Sequence, residues 1–206
     1  MAAWERFAST SAARLGGGSS DARDRGLTAY GAQIVDRMNG VGMAIDVSHC
    51  ADQTTLQAIE ASRKPVLVTH SNCRALNQSC ARCKTDEAIR RLAAKGGVMG
   101  VTMVRTFVRP QGPASGSTSM KDVLDHIDYV AQLVGVEHAG VGTDFDLVGR
   151  DRRNHGAPKF DLDGVNYARK IFDLTEGLLR RNYGKRDVEM ILGGNFQRAL
   201  SDIWTV

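Results

Sequence analysis

Two histidines each follow a short apolar segment, and the two segments lie close together in the sequence. Residues 43–45 lead to His49, and residues 66–68 lead to His70. Imidazole is the commonest neutral metal ligand in proteins, and two such rings on adjacent strand ends could hold a zinc ion. The alternative is that each histidine only forms local hydrogen bonds, and the pair alone does not decide between these interpretations.

The residues between the two histidines predict the element that would bring them together. The segment from Asp52 to Lys64 predicts a helix, with Asp52 as its N-cap and Pro65 preventing its continuation. A helix that joins two parallel strands places both strand carboxyl ends at the same edge of a sheet. We therefore expect His49 and His70 to be neighbours at that edge, where α/β folds build their sites.

The composition is that of a globular protein, and it argues against several classes of partner. The chain has 206 residues, of which 42% are hydrophobic and 24% charged, with a formal net charge of +4. The basic residues are scattered among acidic ones, so nucleic-acid binding is not expected. The sequence contains no recognisable membrane-spanning segment or signal peptide, which makes a cytoplasmic location the default expectation.

The four cysteines are too few for a disulfide scaffold of this size, and they indicate reduced thiols. They are Cys50, Cys73, Cys80 and Cys83. Cys80 and Cys83 form a C-x-x-C pair, but no second pair stands at zinc-ribbon spacing. A structural zinc site at this pair is therefore not the favoured interpretation.

The rest of the chain predicts further strand and helix units. Small residues and glycines make residues 1–20 a flexible lead-in by composition, and residues 21–206 are predicted to form one partial (β/α) barrel domain. Strands are predicted at residues 43–45, 66–68, 98–104 and 139–142, and Asp144 follows the last of them. Four such units are too few for a closed barrel of eight, which takes about 250 residues. We expect an α/β fold equivalent to the second half of a TIM-type barrel.

Residues that cap or break helices predict where the helices begin and end. A helix from Leu27 to about Gly40 precedes the first strand, and Thr85 and Ser119 are predicted to cap the helices before the third and fourth strands. The tail predicts helices over residues 165–181 and 187–192, followed by a last helix that Asn195 could cap.

Several segments of the chain occur in an order found in one enzyme family. They are residues 42–49 (Gly-Met-Ala-Ile-Asp-Val-Ser-His), 65–71 (Pro-Val-Leu-Val-Thr-His-Ser), 85–86, 96–98, 126–128 (His-Ile-Asp), 141–146 (Val-Gly-Thr-Asp-Phe-Asp), 174–178 and 193–195. In this order they resemble the membrane dipeptidase (renal dipeptidase) family. The resemblance spans residues 25–204 and corresponds to the carboxyl-terminal part of the family's barrel.

The resemblance implies a dinuclear zinc peptidase that cleaves dipeptides on an eight-stranded barrel of the amidohydrolase type. Positions matching His49 and His70 ligate one of the two metals, and the spacing of 21 residues agrees with the family. Arg82 matches the arginine that meets the substrate's carboxylate, which a guanidinium can grip through two parallel hydrogen bonds. Asp144 matches the acidic residue near the second metal that handles protons or the substrate's amino group.

The resemblance also implies that half of the metal ligands are missing. The family's first His-x-Asp pair and its bridging glutamate belong to the first half of the barrel, to which this chain has no counterpart. The loop from Asn77 to Arg82 also lacks the proline and histidine that usually precede the arginine. A complete family site holds two zinc ions, and we expect at most one weakly held ion here.

Three hypotheses for function remain open from the sequence. The first is a zinc-dependent dipeptidase in which this truncated chain supplies the carboxyl half of the site. The second is an inactive half-barrel remnant, or an assembly module that pairs with another copy to cover its open edges. The third is a basic module whose clusters at residues 90–91 and 150–153 bind anions. His126 and His138 are predicted to pack and form hydrogen bonds, and His155 is predicted to be exposed.

Overall fold

The computed structural model describes residues 5–6, 14–21, 23–110, 117–144 and 170–205. Within these residues one parallel sheet is built from five strands that follow one another in chain order. They are β1 (Glu5–Arg6), β2 (Ile45–Asp46), β3 (Leu67–Ser71), β4 (Val98–Val101) and β5 (Ala139–Val141). The four predicted parallel strands are thus confirmed as β2 to β5, and β1 adds a fifth.

Helices connect the strands in the manner of a (β/α) barrel. They are α1 (Ala29–Gly40), α2 (Asp52–Ala61), α3 (Asp86–Ala94), α4 (Arg105–Val108), α5 (Met120–Val134), α6 (Lys170–Arg180), α7 (Lys185–Glu189) and α8 (Asn195–Trp204). The crossovers α2, α3 and α5 each join one strand to the next. Because all the strands run in the same direction, their carboxyl ends share one edge of the sheet.

Two of the predicted helix starts are confirmed by side-chain hydrogen bonds. Thr85 Oγ1 accepts a hydrogen bond from Ala88 N at 3.2 Å at the start of α3. Ser119 and Asp122 form a capping box before α5, with Asp122 Oδ2 accepting from Ser119 N at 2.8 Å. These caps satisfy backbone N–H groups that the first turn of a helix leaves without partners.

Two other predicted caps are wrong. Asp52 is the first residue of α2, while Ala51 occupies the N-cap position without a side-chain hydrogen bond. The carboxylate of Asp52 instead binds the guanidinium of Arg74 at 2.5 and 2.8 Å. Asn195 begins α8, and its Nδ2 donates to Ala139 O at 2.7 Å, which ties the last helix to β5. In both cases the side chain binds a residue that is distant in sequence and does not cap the helix.

Some predicted boundaries also change in the structure. The strand predicted over residues 98–104 ends at Val101, and the short helix α4 follows. The helix predicted over residues 187–192 is α7, which ends at Glu189 and continues as a π-type turn, Met190–Gly194. Residues 165–169 of the predicted tail helix lie outside the described residues.

Residues 14–20, the end of the predicted lead-in, contact the rest of the fold through their backbone. The backbone of Gly16, Gly17 and Gly18 is buried, and Gly17 N donates to Thr54 Oγ1 at 2.8 Å. Ser19 N donates to His49 O at 2.8 Å. The composition shows that these residues have little side-chain surface to bury. It gives no information about the hydrogen bonds that their backbone can form.

The core has a large cluster on one face of the sheet and a small one on the other. Val68 and Met99 belong to the large cluster, together with the apolar faces of α1, α2, α3, α5 and α6. Leu67 and Val98, one residue earlier in each strand, pack with α8. Neighbouring residues separate in this way because successive side chains of a strand point to opposite faces. Both faces of the central strands are therefore covered, while polar residues gather at the carboxyl edge.

Candidate functional site

His49 and His70 face each other at the carboxyl ends of β2 and β3. Their Nε2 atoms are 2.9 Å apart, and the ring centroids are 5.0 Å apart. Zinc–nitrogen bonds are about 2.0–2.1 Å long, so two nitrogen atoms at this separation can both reach a single cation. The structure thus brings together the two residues that the strand, helix, strand pattern predicts to be neighbours.

An irregularity in β3 places His70 at this edge. The pairing with β4 shifts register between Val68 and Ser71, so that β3 contains one more residue than its neighbour over this interval. The carbonyl oxygen of Thr69 lies so near to β5 that a Cβ atom at Gly142 would overlap it. A bulge of this kind changes the direction of the side chains that follow it. The absence of a side chain at Gly142 makes room for the bulge.

A chain of hydrogen bonds determines which nitrogen of His70 carries the proton. Thr69 Oγ1 is 2.7 Å from Asp46 Oδ2 and 2.7 Å from His70 Nδ1. An ionised carboxylate can only accept, so the Thr69 hydroxyl donates its single proton to Asp46 and accepts from His70 Nδ1–H. The lone pair of the neutral His70 ring then lies on Nε2, which faces His49. This is the tautomer that a metal ligand at Nε2 requires.

Asp46 remains ionised although its side chain is almost fully buried. Burial alone would raise the pKa of this carboxyl, but hydrogen bonds from Ser48 and Thr69 outweigh burial and bring the pKa below its usual value. Ser48 N and Oγ donate to Asp46 Oδ1 at 2.9 and 2.6 Å, and Thr69 N donates to the same oxygen at 3.1 Å. Asp46 therefore joins the two strand ends that carry the histidines.

Lys84 holds the turn that carries His49, although it lies in the loop after β3. Its Nζ donates to Val47 O at 2.7 Å, to Cys50 O at 2.9 Å and to Thr55 Oγ1 at 3.1 Å. The side chain is fully buried, and burial lowers the pKa of Lys84 to about 8. One ammonium group thus binds the backbone on both sides of His49.

Arg82 holds the same turn from a second position. Its Nη1 donates to Ser48 O, and its Nη2 donates to His70 O at 2.9 Å. The guanidinium also lies over the ring of Phe107, with 5.5 Å between Cζ and the ring centroid. Arg82 therefore contacts the backbone of both histidine segments.

The positive charge of Arg82 is buried without an ion pair among the described residues. Only 7% of the residue is exposed, and its Nε has no hydrogen-bond partner in the described part of the chain. Burial lowers the pKa of Arg82, and the negative charges of Asp46 and Asp144 partly oppose that effect. A buried cation with unused N–H groups can accept an anionic ligand.

Asp144 lies just beyond β5, at the same edge of the sheet as the histidines. Its backbone has a φ of 53°, in the left-handed region that aspartate adopts more readily than most residues. The backbone before it is held by a hydrogen bond from Met103 N to Thr143 O at 3.2 Å. Asp144 is thus near enough for its charge to act on Arg82. Phe145 and the residues that follow it to position 169 lie outside the described residues.

The donor atoms at this edge fit only part of a metal site. Within residues 14–21, 23–110, 117–144 and 170–205, no group of three or more His, Cys, Asp or Glu side chains could hold a metal ion. The His49 and His70 rings offer two nitrogen donors, whereas a protein zinc site usually has three or four protein ligands. Two donor side chains do not complete such a site by themselves, and the assignment of His49 and His70 as metal ligands stays a prediction.

The remaining histidines have structural contacts. His126 is buried, its Nδ1 accepts from Cys73 N at 3.1 Å, and its Nε2 lies 2.9 Å from a backbone carbonyl oxygen. Burial lowers the pKa of His126, which favours the neutral ring. His138 Nδ1 is 2.8 Å from Gly97 O at the amino end of the sheet. These contacts agree with the predicted packing and hydrogen bonding, while His155 lies outside the described residues.

Sequence reasoning missed three residues that organise this edge. Asp46 and Thr69 stand inside the segments that resemble the dipeptidase family, where polar residues at a strand end were a usable signal. Lys84 gave no signal, because a lysine in a loop is normally solvated and its burial depends on how the loop folds back.

Together, the parallel strand and helix order and the imidazole pair at the carboxyl edge define part of a (β/α) barrel with two histidines at its strand ends. The chain belongs to the membrane dipeptidase family (Peptidase family M19), whose family model matches residues 4–206. The resemblance found in the sequence is confirmed. Among the described residues, no helix has the length and apolar character needed to cross a membrane.

Several proteins that are similar in sequence to this chain are named as dipeptidases. The chain is 32% identical to an uncharacterised dipeptidase of Schizosaccharomyces pombe over 92% of its own length and 42% of the relative's. It is 33% identical to dipeptidase 3 of Rattus norvegicus over 86% of its own length and 33% of the relative's. The chain thus spans less than half of these proteins.

A solved structure shares the fold. The crystal structure of an amidohydrolase from Pseudomonas aeruginosa matches with a TM-score of 0.84 and 31% identity, covering 96% of this chain and 63% of that one. The predicted α/β fold, equivalent to the carboxyl-terminal part of a TIM-type barrel, is confirmed.

Proposed function

We propose that this chain provides the carboxyl half of a zinc-dependent dipeptidase site. The observation that carries the proposal is the pair of Nε2 atoms, 2.9 Å apart, from His49 and His70. The hydrogen-bond chain from Asp46 through Thr69 leaves a lone pair on the facing nitrogen of His70. Membership of the dipeptidase family supports this assignment.

His49 and His70 hold one zinc ion in this proposal, and the ion is weakly bound because two of the usual protein ligands are absent. Bound zinc supplies Lewis-acid activation of water and of the peptide carbonyl. Asp46 and Thr69 keep the His70 ring in one tautomer and one orientation. Lys84 keeps the His49 turn in place from the other side.

Arg82 binds the free carboxylate of the dipeptide in this proposal. Its guanidinium is buried, has no ion pair among the described residues, and retains N–H groups that are not used by Ser48 O and His70 O. A planar guanidinium that is already positioned loses little freedom when it grips a carboxylate. This contact gives a preference for dipeptides with an unblocked carboxyl end.

Asp144 acts on the substrate's amino group or on the proton that passes to the leaving amine. It lies at the same edge as the histidines, and its charge reaches Arg82. A carboxylate beside a buried guanidinium can place both ends of a zwitterionic dipeptide, one charge against each residue.

Metal binding and turnover test this proposal. We expect equilibrium dialysis against free zinc to show up to one ion bound per chain, and a much lower affinity in His49→Ala. His138→Ala is the matched control, because His138 lies at the amino end of β5 and should not affect zinc affinity. Release of amino acids from an unblocked dipeptide, with zinc supplied, tests turnover. Equal zinc affinity in wild type and His49→Ala would refute the metal assignment.

A second candidate function is assembly without catalysis. Among the described residues, β1 and β5 each pair with a strand on one side only, and open parallel edges favour association with another chain. In this case a second copy covers the edges and no hydrolysis occurs. Light scattering at several concentrations, combined with the dipeptide assay, separates the two: a monomer that hydrolyses dipeptides supports only the first.

A further inference from the structure

The loop between β3 and α3 carries two thiols at the ends of one backbone turn. Cys83 N donates to Cys80 O at 3.0 Å, the hydrogen bond of a β-turn. Such a turn keeps its terminal Cα atoms within about 7 Å of each other, and a disulfide needs about 4.4–6.8 Å. The backbone at these cysteines therefore suits a disulfide.

Neighbouring residues hold this turn in its shape. Arg74 Nη2 donates to Ala81 O at 3.0 Å and to Cys83 O at 2.6 Å, and Cys80 N donates to Asn77 O at 3.0 Å. Because the backbone is held on both sides, little loop rearrangement is needed for a bond between the two cysteines.

The two thiols have unequal environments. The neighbouring Cys83 is the largest influence on the pKa of Cys80 and lowers it to about 7 against the opposing effect of burial, while the pKa of Cys83 is raised. The Cys83 thiol itself donates to Phe107 O at 3.4 Å. Cys80 also retains 8% of its surface, whereas Cys83 is fully buried. Cys80 is thus the more acidic and the less buried thiol of the pair, and Cys83 is the protonated partner.

We propose that Cys80 and Cys83 form a redox-active dithiol that exchanges with low-molecular-weight disulfides such as oxidised glutathione. The site is independent of the proposed dipeptidase function. It rests on the backbone turn that joins the two cysteines, on the C-x-x-C spacing, and on the residual exposure of Cys80 where Cys83 has none.

The exchange proceeds in two steps. The Cys80 thiolate attacks one sulfur of oxidised glutathione, the glutathione disulfide bond breaks, and one glutathione thiolate leaves as a mixed disulfide forms at Cys80. Cys83 then gives its proton to the departing thiolate or to water and attacks the Cys80 sulfur, which expels the second glutathione. In total, two protein thiols and one glutathione disulfide become one protein disulfide and two glutathione thiols.

Cys73 provides an internal control for this chemistry. It is fully buried, and its thiol donates to His126 O at 3.6 Å. Burial, with a smaller effect from Asp86, raises the pKa of Cys73. We expect this thiol to remain unreacted in the folded chain under conditions that oxidise Cys80.

Mass spectrometry of the reduced full-length chain tests the proposal. After exposure to excess oxidised glutathione, the intact chain should lose two hydrogen atoms without a lasting adduct. Trypsin cleaves after Arg82, so the disulfide should appear as residues 75–82 linked to residues 83–84. A non-reducing gel should show a single chain, which identifies the bond as intramolecular. No such disulfide in the folded chain, or modification of Cys73 at the same rate as Cys80, would overturn the proposal.

Two variants separate the roles of the cysteines. Cys83→Ser should accumulate the glutathione adduct at Cys80, because no second thiol can resolve it. Cys80→Ser should react at least tenfold more slowly at Cys83. Circular dichroism confirms that each variant is folded. The absence of an adduct in a folded Cys83→Ser chain, or a wild-type rate in Cys80→Ser, would contradict the assigned order of attack.

Discussion

Two clusters of cationic side chains in this molecule are built in opposite ways. At the carboxyl edge of the sheet, Arg82 and Lys84 donate to neutral oxygen atoms of the backbone and of a hydroxyl. Between α5 and the end of α6, Arg181 instead donates to the carboxylates of Asp125, at 2.7 Å, and Asp128. In the helix cluster each positive charge is paired with carboxylates, and these ion pairs join α5 to the end of α6. The edge cluster leaves two buried positive charges without carboxylate partners in the described residues, which suits a place where an anion is to bind.

The helix cluster shows what a charge network with a structural role looks like in this chain. Tyr183 Oη donates to Asp128 Oδ1 at 2.9 Å, and burial together with this carboxylate raises the pKa of Tyr183. Burial opposes the ionised form of Asp125, but hydrogen bonds from Lys121 and Arg181 bring its pKa below the usual value. Asp128 belongs to a segment that resembles the dipeptidase family, yet its contacts here hold helices together.

The largest effect is expected from a change that closes the space at the sheet edge. Gly142→Ala would place a Cβ on the carbonyl oxygen of Thr69, where only backbone could move to accommodate it. We expect a loss of more than about 3 kcal/mol in the free energy of unfolding, measured in urea. Gly40→Ala is the control, because a Cβ there meets no atom within 4 Å. Similar stability of the two variants would show that the β3 bulge does not depend on Gly142.

Lys84→Met tests whether the buried ammonium stabilises the His49 turn. Methionine fills much of the same volume but leaves two carbonyl oxygens and a hydroxyl without their donor, which we expect to cost about 3 kcal/mol. Lys64→Met is the matched control, since Lys64 Nζ also donates to two carbonyl oxygens, those of Asp202 and Thr205, but at the exposed surface. We expect that control to change stability by less than about 0.5 kcal/mol. A Lys84→Met chain as stable as wild type would contradict the proposed clamp.

The sequence predicts the meeting of the histidines but not the contacts that hold them. Parallel strands joined by a helix must bring their carboxyl ends to one edge, so His49 and His70 could be placed from residue pattern alone. The bulge at Thr69 could not, because a strand buried on both faces is a continuous apolar run, without an alternation that one extra residue would visibly shift. The burial of Lys84 could not be predicted either, since it depends on a loop folding back over a distant turn. Short-range rules therefore predict the strand ends, and long-range packing determines their geometry.

A smaller effect is expected from Thr69→Val, which has nearly the shape of threonine but no hydroxyl. The link between Asp46 and His70 Nδ1 is then broken, and the proton of the ring is free to move to Nε2. We expect zinc affinity, measured by titration with a competing chelator, to fall about tenfold. Thr69→Ser keeps the hydroxyl and should restore most of the affinity. Nitrogen chemical shifts of His70 report the tautomer without zinc, and an unchanged tautomer in Thr69→Val would contradict the hydrogen-bond chain.

The smallest effect is expected from Arg181→Met, and its dependence on salt distinguishes the two clusters. The ion pairs of Arg181 are partly exposed, so we expect a loss of about 1 kcal/mol at low salt and no change in zinc affinity. At about 1 M sodium chloride, where the screening length falls to about 3 Å, most of this loss should disappear. The cost of Lys84→Met should persist, because its partners are neutral oxygens in a buried site that salt does not enter. Urea unfolding of both variants at low and high salt measures this difference, and equal salt dependence would mean that the two clusters stabilise the chain by the same kind of interaction.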